Sequence, residues 1–187
     1  MSTQNTLVFS SELGEFSILL HYDRAPVTCR YFCDLVRNGG LSDSSVFRIV
    51  AERNQQPDDP CPIHVVQIGP GHNIFGDRQF ITHEGTNLSG LSHPKWTVSA
   101  ARFGPGEVYG SFFICMRDEP ELDFGGRRQP DGQGFAAFGQ VIEGFDTLEQ
   151  IYQRGECDEM LTNEIPILDV SLAESSVDFD SGCHDGA

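Results

Sequence analysis

Gly110-Ser111-Phe112-Phe113-Ile114-Cys115 reads as a β-strand, with two adjacent rings and a β-branched residue following a small-residue turn. Side chains alternate across a strand, so Phe112 and Ile114 share one face while Ser111 and Phe113 share the other. One face can join a core. The other sets a ring beside a hydroxyl, which could form a shallow apolar pocket with a polar handle. Plain packing on both faces is the competing reading, because aromatic residues in strands commonly only pack.

Working outward, Trp96 to Ala101 reads as a neighbouring strand and Gly104-Pro105-Gly106 as the turn between them. Ile63-His64-Val65-Val66-Gln67-Ile68 is a further strand, with Val65 and Gln67 on one face. Val46-Phe47-Arg48-Ile49-Val50 is apolar on both faces apart from one arginine, and a guanidinium among apolar neighbours needs a partner or a task. Snorkelling to water from a strand end is the alternative.

Leu7 to Ser10 and Glu15 to Leu20 form a hairpin around Gly14, while Phe135 to Val141 and Ile165 to Leu172 supply later strands. Pro26 suits the first turn of a helix, and Cys29, Phe32, Cys33 and Val36 then make one apolar stripe that Asn38-Gly39-Gly40 ends. Phe145, Leu148, Ile151 and Tyr152 line a second short helix. Segments 69–94 and 117–134 read as long polar surface excursions. Many short strands with two helices favour a β-barrel or sandwich with helical covers.

At 187 residues and 39% hydrophobic content, the chain is read as one folded domain with a sizeable core. A formal net charge of −16 argues against nucleic acid or an anionic membrane as partner, since both require a basic footprint. With neither a secretory leader nor a membrane-spanning run in view, a cytoplasmic location is expected. Six cysteines at positions 29, 33, 61, 115, 157 and 183 form no Cys-x-x-Cys pair, so no zinc knuckle or redox motif is suggested, and in the cytosol they should be reduced thiols. His64, His72, His83 and His93 match no compact metal-ligand spacing and are read as solvated loop residues. Acidic runs such as Asp118-Glu119 are read as solvated surface rather than acid/base machinery.

In their order along the chain, these segments resemble the cyclophilin family of peptidyl-prolyl cis/trans isomerases, in the manner of a divergent, bacterial-like member. Gly14 to Ile18, Ala25-Pro26-Val27-Thr28, Phe32, Val46 to Val50, Val65-Val66-Gln67, Ser99-Ala100-Ala101, Gly110 to Ile114, Leu122-Asp123 and Phe138-Gly139 carry the likeness. The resemblance implies a mainly β fold, an eight-stranded antiparallel closed barrel capped by two helices, over residues 5–173, with an acidic tail at 174–187. It implies an enzyme that accelerates rotation about X-Pro bonds and assists protein folding, acting on proline-containing peptides and unfolded or folding proteins. No cofactor and no metal are implied, and a monomer is expected.

Carried over by position, Arg48 takes the place of the catalytic arginine, Gln67 that of the glutamine beside it, and Phe113 the floor of the proline pocket. Leu122 and Val65 stand on the pocket wall, and Ala101 where substrate backbone is held. Several positions depart from the family pattern: among them His64 replaces a phenylalanine, Phe135 a histidine, Ser111 a glutamine that reaches substrate, and Arg102 an asparagine. Arg102, if exposed, would favour acidic residues near the proline. Glu121 stands in place of a tryptophan, which implies weak cyclosporin binding. The altered rim leaves a second reading, a weakly active or non-catalytic proline-peptide binding or chaperone module on the same fold.

Overall fold

The computed structural model describes residues 4–70 and 78–174. The strands are β1 (Gln4–Ser11), β2 (Gly14–Leu20), β3 (Ser45–Val50), β4 (Val65–Gly69), β5 (Gln79–Phe80), β6 (Thr97–Arg102), β7 (Glu107–Cys115), β8 (Ala136–Glu143) and β9 (Met160–Glu174). The helices are α1 (Pro26–Arg37), the single turn α2 (Thr86–Ser89) and α3 (Phe145–Gln153). Neighbouring strands run in the order β4-β3-β9-β1-β2-β8-β6-β7-β5, and a β4–β7 pairing closes the sheet on itself. Every pairing is antiparallel. Apart from the two-residue β5 on the β7 margin, this is the expected eight-stranded closed barrel. A third, one-turn helix joins the two that were expected.

The barrel is filled by one face of each strand. Phe112 and Ile114 of β7, Val66 and Ile68 of β4, and Val98 and Ala100 of β6 all point into the main core, as period-two alternation requires. Five phenylalanines dominate that core. Phe32 of α1 stacks on Phe138 at 4.4 Å and meets Phe112 edge-on at 5.7 Å, while Phe9 stacks on Phe16 at 5.1 Å. These offset and edge-on geometries are the ones that the ring quadrupole favours. The stripe read on α1 is therefore its docking face, with Cys29, Phe32 and Cys33 fully buried.

Helix α1 has no local side-chain cap; its orphan N–H groups are met from a distance. The Glu84 carboxylate accepts hydrogen bonds from Val27 N at 3.1 Å, Thr28 N at 2.9 Å and Thr28 Oγ1 at 2.7 Å. A negative charge at this end also complements the helix dipole. Segment 69–94 is therefore no simple surface excursion: Glu84, Ser89 and His93 within it are buried. Its residues 71–77, including His72, lie outside the described residues, as does the tail from 175. Glu84→Ala is expected to cost about 1–2 kcal/mol, in the range of lost helix caps and unpaired buried donors; urea denaturation would measure it.

At α3 the chain turns through Gly144, whose φ of +81° favours glycine and whose added Cβ would lie 2.2 Å from Glu15 O. That close approach seats Leu148 and Ile151 in the core and sets Phe145 against Trp96 at 5.0 Å.

Candidate active site

A second apolar cluster lies on the outward faces of the strands that close the barrel. It comprises Val50, Ile63, Val65, Ala101, Phe113, Cys115, Leu122 and Phe135, with Tyr109 packed against it. The strand register places Arg48 opposite Gln67, Gln67 opposite Phe113, and Phe113 opposite Ser99. With strands about 4.8 Å apart, that row crosses β3, β4, β7 and β6. The structure thus brings five of the expected pocket residues, Val65, Ala101, Phe113, Leu122 and Phe135, into one cluster with Arg48 and Gln67 along its edge.

Arg48 reaches the row through a β-bulge. Val46 pairs with Ile68 and Arg48 with Gln67, so two steps along β3 answer one step along β4, with Phe47 as the extra residue. Val46 and Ile49 therefore both face the core, while Arg48 and Val50 face the pocket side. An arginine in a strand apolar on both faces is the result.

The guanidinium is held at both flanks. Its Nη1 donates to Gln67 Oε1 at 3.1 Å, and its Nε and Nη2 donate to Glu159 Oε2 at 3.0 and 2.6 Å. Gln67 is itself fixed, because its Nε2 donates to Tyr109 Oη and to Ser111 Oγ, each at 3.0 Å. Both amide hydrogens are occupied, so Gln67 can orient Arg48 and has none left for a substrate carbonyl. Burial raises the Tyr109 pKa, with the Gln67 hydrogen bond acting in the opposite direction, so the phenol stays neutral.

Two expectations are corrected here. Ser111 is 1% exposed, and its hydroxyl donates to Ile68 O at 3.0 Å while accepting from Gln67. A short hydroxyl stops at the adjacent strand, so Ser111 touches the site only through Gln67. Arg102 is no exposed selector of acidic substrates: its side chain is 1% exposed. Asp131 accepts from both its terminal nitrogens at 2.8 Å, Gly134 O accepts from Nε at 2.8 Å, and the guanidinium lies 5.1 Å over the Phe135 ring. That pairing holds the Asp131 carboxyl below its usual range. Arg102 thereby anchors the 117–134 loop and buttresses Phe135.

Phe135 meets Phe113 edge-on at 5.2 Å, and His93 lies beside Phe113 at 6.3 Å. His93, read as a solvated loop residue, is buried between Asp123 Oδ1 at 2.7 Å and Ser99 Oγ at 2.9 Å. His64 is also buried at the edge of the cluster. Its Nδ1 lies 3.0 Å from Glu119 Oε1, and the same oxygen accepts from the His64 backbone N–H. Burial raises the Glu119 pKa, and the His64 contacts oppose that shift. Among the described residues, no three of His, Cys, Asp or Glu converge to hold a metal ion.

Glu119, read as solvated surface, is instead buried against His64, and Tyr109, His93, Asp131 and Glu159 were not singled out as site residues from sequence. Tyr109 carried a signal, since it shares strand parity with Ser111 and Phe113. The others stand in loops without periodicity.

The closed antiparallel barrel thus carries an arginine-edged apolar cluster on its outer face. Residues 6–173 match the family described as cyclophilin type peptidyl-prolyl cis-trans isomerase/CLD. The chain belongs to this family and is a peptidyl-prolyl cis-trans isomerase. It is 25% identical over 172 residues to peptidyl-prolyl cis-trans isomerase B of Escherichia coli, covering 91% of this chain and 98% of that one. It is 26% identical over 157 residues to peptidyl-prolyl cis-trans isomerase-like 1 of Rhizopus delemar, covering 81% and 82%. A cyclophilin type isomerase from Cryptosporidium parvum, crystallised in the presence of the dipeptide Ala-Pro, has the same fold with a TM-score of 0.68 at 19% identity, covering 90% of this chain and 98% of that one.

Proposed function

We propose that the isomerase reaction takes place over the Arg48–Gln67–Phe113 row, with the substrate proline ring against Phe113, Leu122, Val65 and Phe135 and the adjoining backbone near Ala101. The observation that carries this reading is Arg48, aimed by a bulge and by fixed partners at the rim of an apolar cluster.

Rotation about a prolyl amide faces about 18–20 kcal/mol, because the C–N bond has double-bond character. Uncatalysed, it takes tens to hundreds of seconds. A turnover near ~10³ per second requires removing about 7 kcal/mol, at 1.36 per decade. No nucleophile is needed. As the amide twists, its nitrogen loses resonance, becomes pyramidal and can accept a hydrogen bond that the planar ground state cannot. A permanently charged guanidinium aimed there stabilises the transition state selectively. One charge-assisted bond contributes about 1.5–3 kcal/mol. The remainder comes from clamping the ring while the carbonyl swings in a site poor in water. Exchange NMR on an X-Pro tetrapeptide tests the assignment; catalysis that survives Arg48→Ala intact would overturn it.

Proline-containing segments of unfolded and folding proteins are the proposed substrates, without nucleic acid or membrane as partner. A monomeric, cytoplasmic protein is the proposed setting. Cyclosporin is expected to bind weakly. Glu121 is held by Arg127 Nη2 at 2.7 Å and offers an ion pair instead of an indole ring. Calorimetric titration to a tight complex would refute that expectation.

A further inference from the structure

We infer that Glu159 is a positioning residue for Arg48, fixing which edge of the guanidinium faces the substrate. The inference rests on the reading of Arg48 given above and concerns a residue outside the strand row.

A guanidinium carries five N–H donors in one plane. Three are held: Nε and the near hydrogen of Nη2 by Glu159 Oε2, and one hydrogen of Nη1 by Gln67 Oε1. Nε, Nη1 and Nη2 are thus each held by the protein, and two N–H groups, one on Nη1 and one on Nη2, remain for another acceptor. A donor left free to rotate would lose the alignment that a pyramidal nitrogen requires. Clamping from opposite sides removes that freedom before the substrate arrives.

The chain holds Glu159 in place with unusual thoroughness for a loop residue. Its carbonyl accepts from Ile49 N at 2.8 Å, and the next residue, Met160, pairs with Arg48 across β9 and β3. Behind it, Asn54 Nδ2 lies 2.8 Å from Ile49 O and 3.3 Å from both Glu156 O and Asp158 O. Arg53 donates to Gly155 O at 3.1 Å and to Tyr152 O at 3.0 Å. The Glu156 carboxylate accepts from Thr162 N and Asn163 N at 3.0 and 3.2 Å, closing the loop on the other side. The ion pair itself is about one quarter to one third exposed, 26% for Arg48 and 31% for Glu159, so a bound peptide can reach it.

The test is a mutant cycle read by exchange NMR at saturating X-Pro peptide. Glu159→Ala is expected to lower the catalysed exchange rate about tenfold, with peptide KM within twofold of wild type. Glu159→Gln keeps an acceptor oxygen in place and is expected to stay within about threefold of wild type. In an Arg48→Ala background, Glu159→Ala is expected to change the residual rate by less than twofold, because the group it positions is gone. The inference is overturned if Glu159→Ala alone stays within twofold of wild type, if Glu159→Gln is as slow as Glu159→Ala, or if the tenfold loss persists without Arg48. Full activity in Arg48→Ala alone would instead sink the Arg48 reading, a result distinct from an arginine-dependent enzyme indifferent to Glu159.

Discussion

Arg48→Ala is expected to lower the catalysed exchange of an X-Pro peptide about a hundredfold while the fold survives. The figure follows from one charge-assisted hydrogen bond made in the transition state, about 1.5–3 kcal/mol, with each 1.36 kcal/mol worth tenfold. Arg48 lies on the outward face of β3, and the β3 residues that face the barrel core are Val46 and Ile49, so a truncation opens no core cavity. Arg48→Lys should recover little, because an ammonium cannot reproduce the planar fork that joins Gln67 and Glu159. A loss in the rate at saturating peptide, with KM nearly constant, is the expected signature of an interaction made only in the transition state. A rise in KM with the rate at saturating peptide unchanged would point to ground-state binding instead.

Asp131→Ala should destabilise the protein by about 3 kcal/mol, because it leaves a buried guanidinium without its anion. The reverse deletion is milder. Asp131 is one third exposed and can rehydrate, so Arg102→Met is expected to cost about 1 kcal/mol, mainly for the unpaired Gly134 carbonyl. The pH dependence has a definite sign. The folded Asp131 pKa lies below its unfolded value of about 3.9, so the unfolded chain binds more protons in that window, and stability rises with pH. The contribution is complete above the unfolded value and disappears as pH falls through the folded one. Chemical denaturation should therefore find the gap between wild type and Asp131→Ala constant near neutrality and closing below about pH 4. A gap unchanged down to pH 2 would refute the ion-pair account.

Arg48 and Arg102 mark how far the sequence could be read. Period-two alternation put Phe112 and Ile114 on one face and Phe113 on the other, because a strand's faces follow from counting alone, while the pocket role of Phe113 came only from the family resemblance. The same rule cannot register a bulge, so the reason Arg48 faces outward among apolar residues needed the pairing of β3 with β4. Ser111 had the right parity but the wrong reach, since its face is shared with a glutamine on the next strand that intercepts it. Glu84 and His93, in a segment read as a surface excursion, and Arg102, whose exposure was left open, are all buried for one reason. Each is buried against a partner whose sequence separation follows no period: Asp131, Thr28 and Asp123. Polar residues in loops carry no local signal of burial, and composition averages them into a solvated surface.

The pairing of β4 with β7 has a kinetic meaning as well. Gln67 and Phe113 face each other across the one seam that turns an open sheet into a barrel. Nearly fifty residues of chain separate the two, and the entropy of closing that loop opposes the contact until the pairing is made. A fragment holding only the first strands would carry Arg48 and Gln67 but have no surface on which to press a proline ring. The amide of Phe113 should accordingly exchange with solvent only through unfolding close to global, unlike the amides of β5 at the barrel's margin. The apolar cluster that holds Phe113 is thus complete only once the barrel has closed.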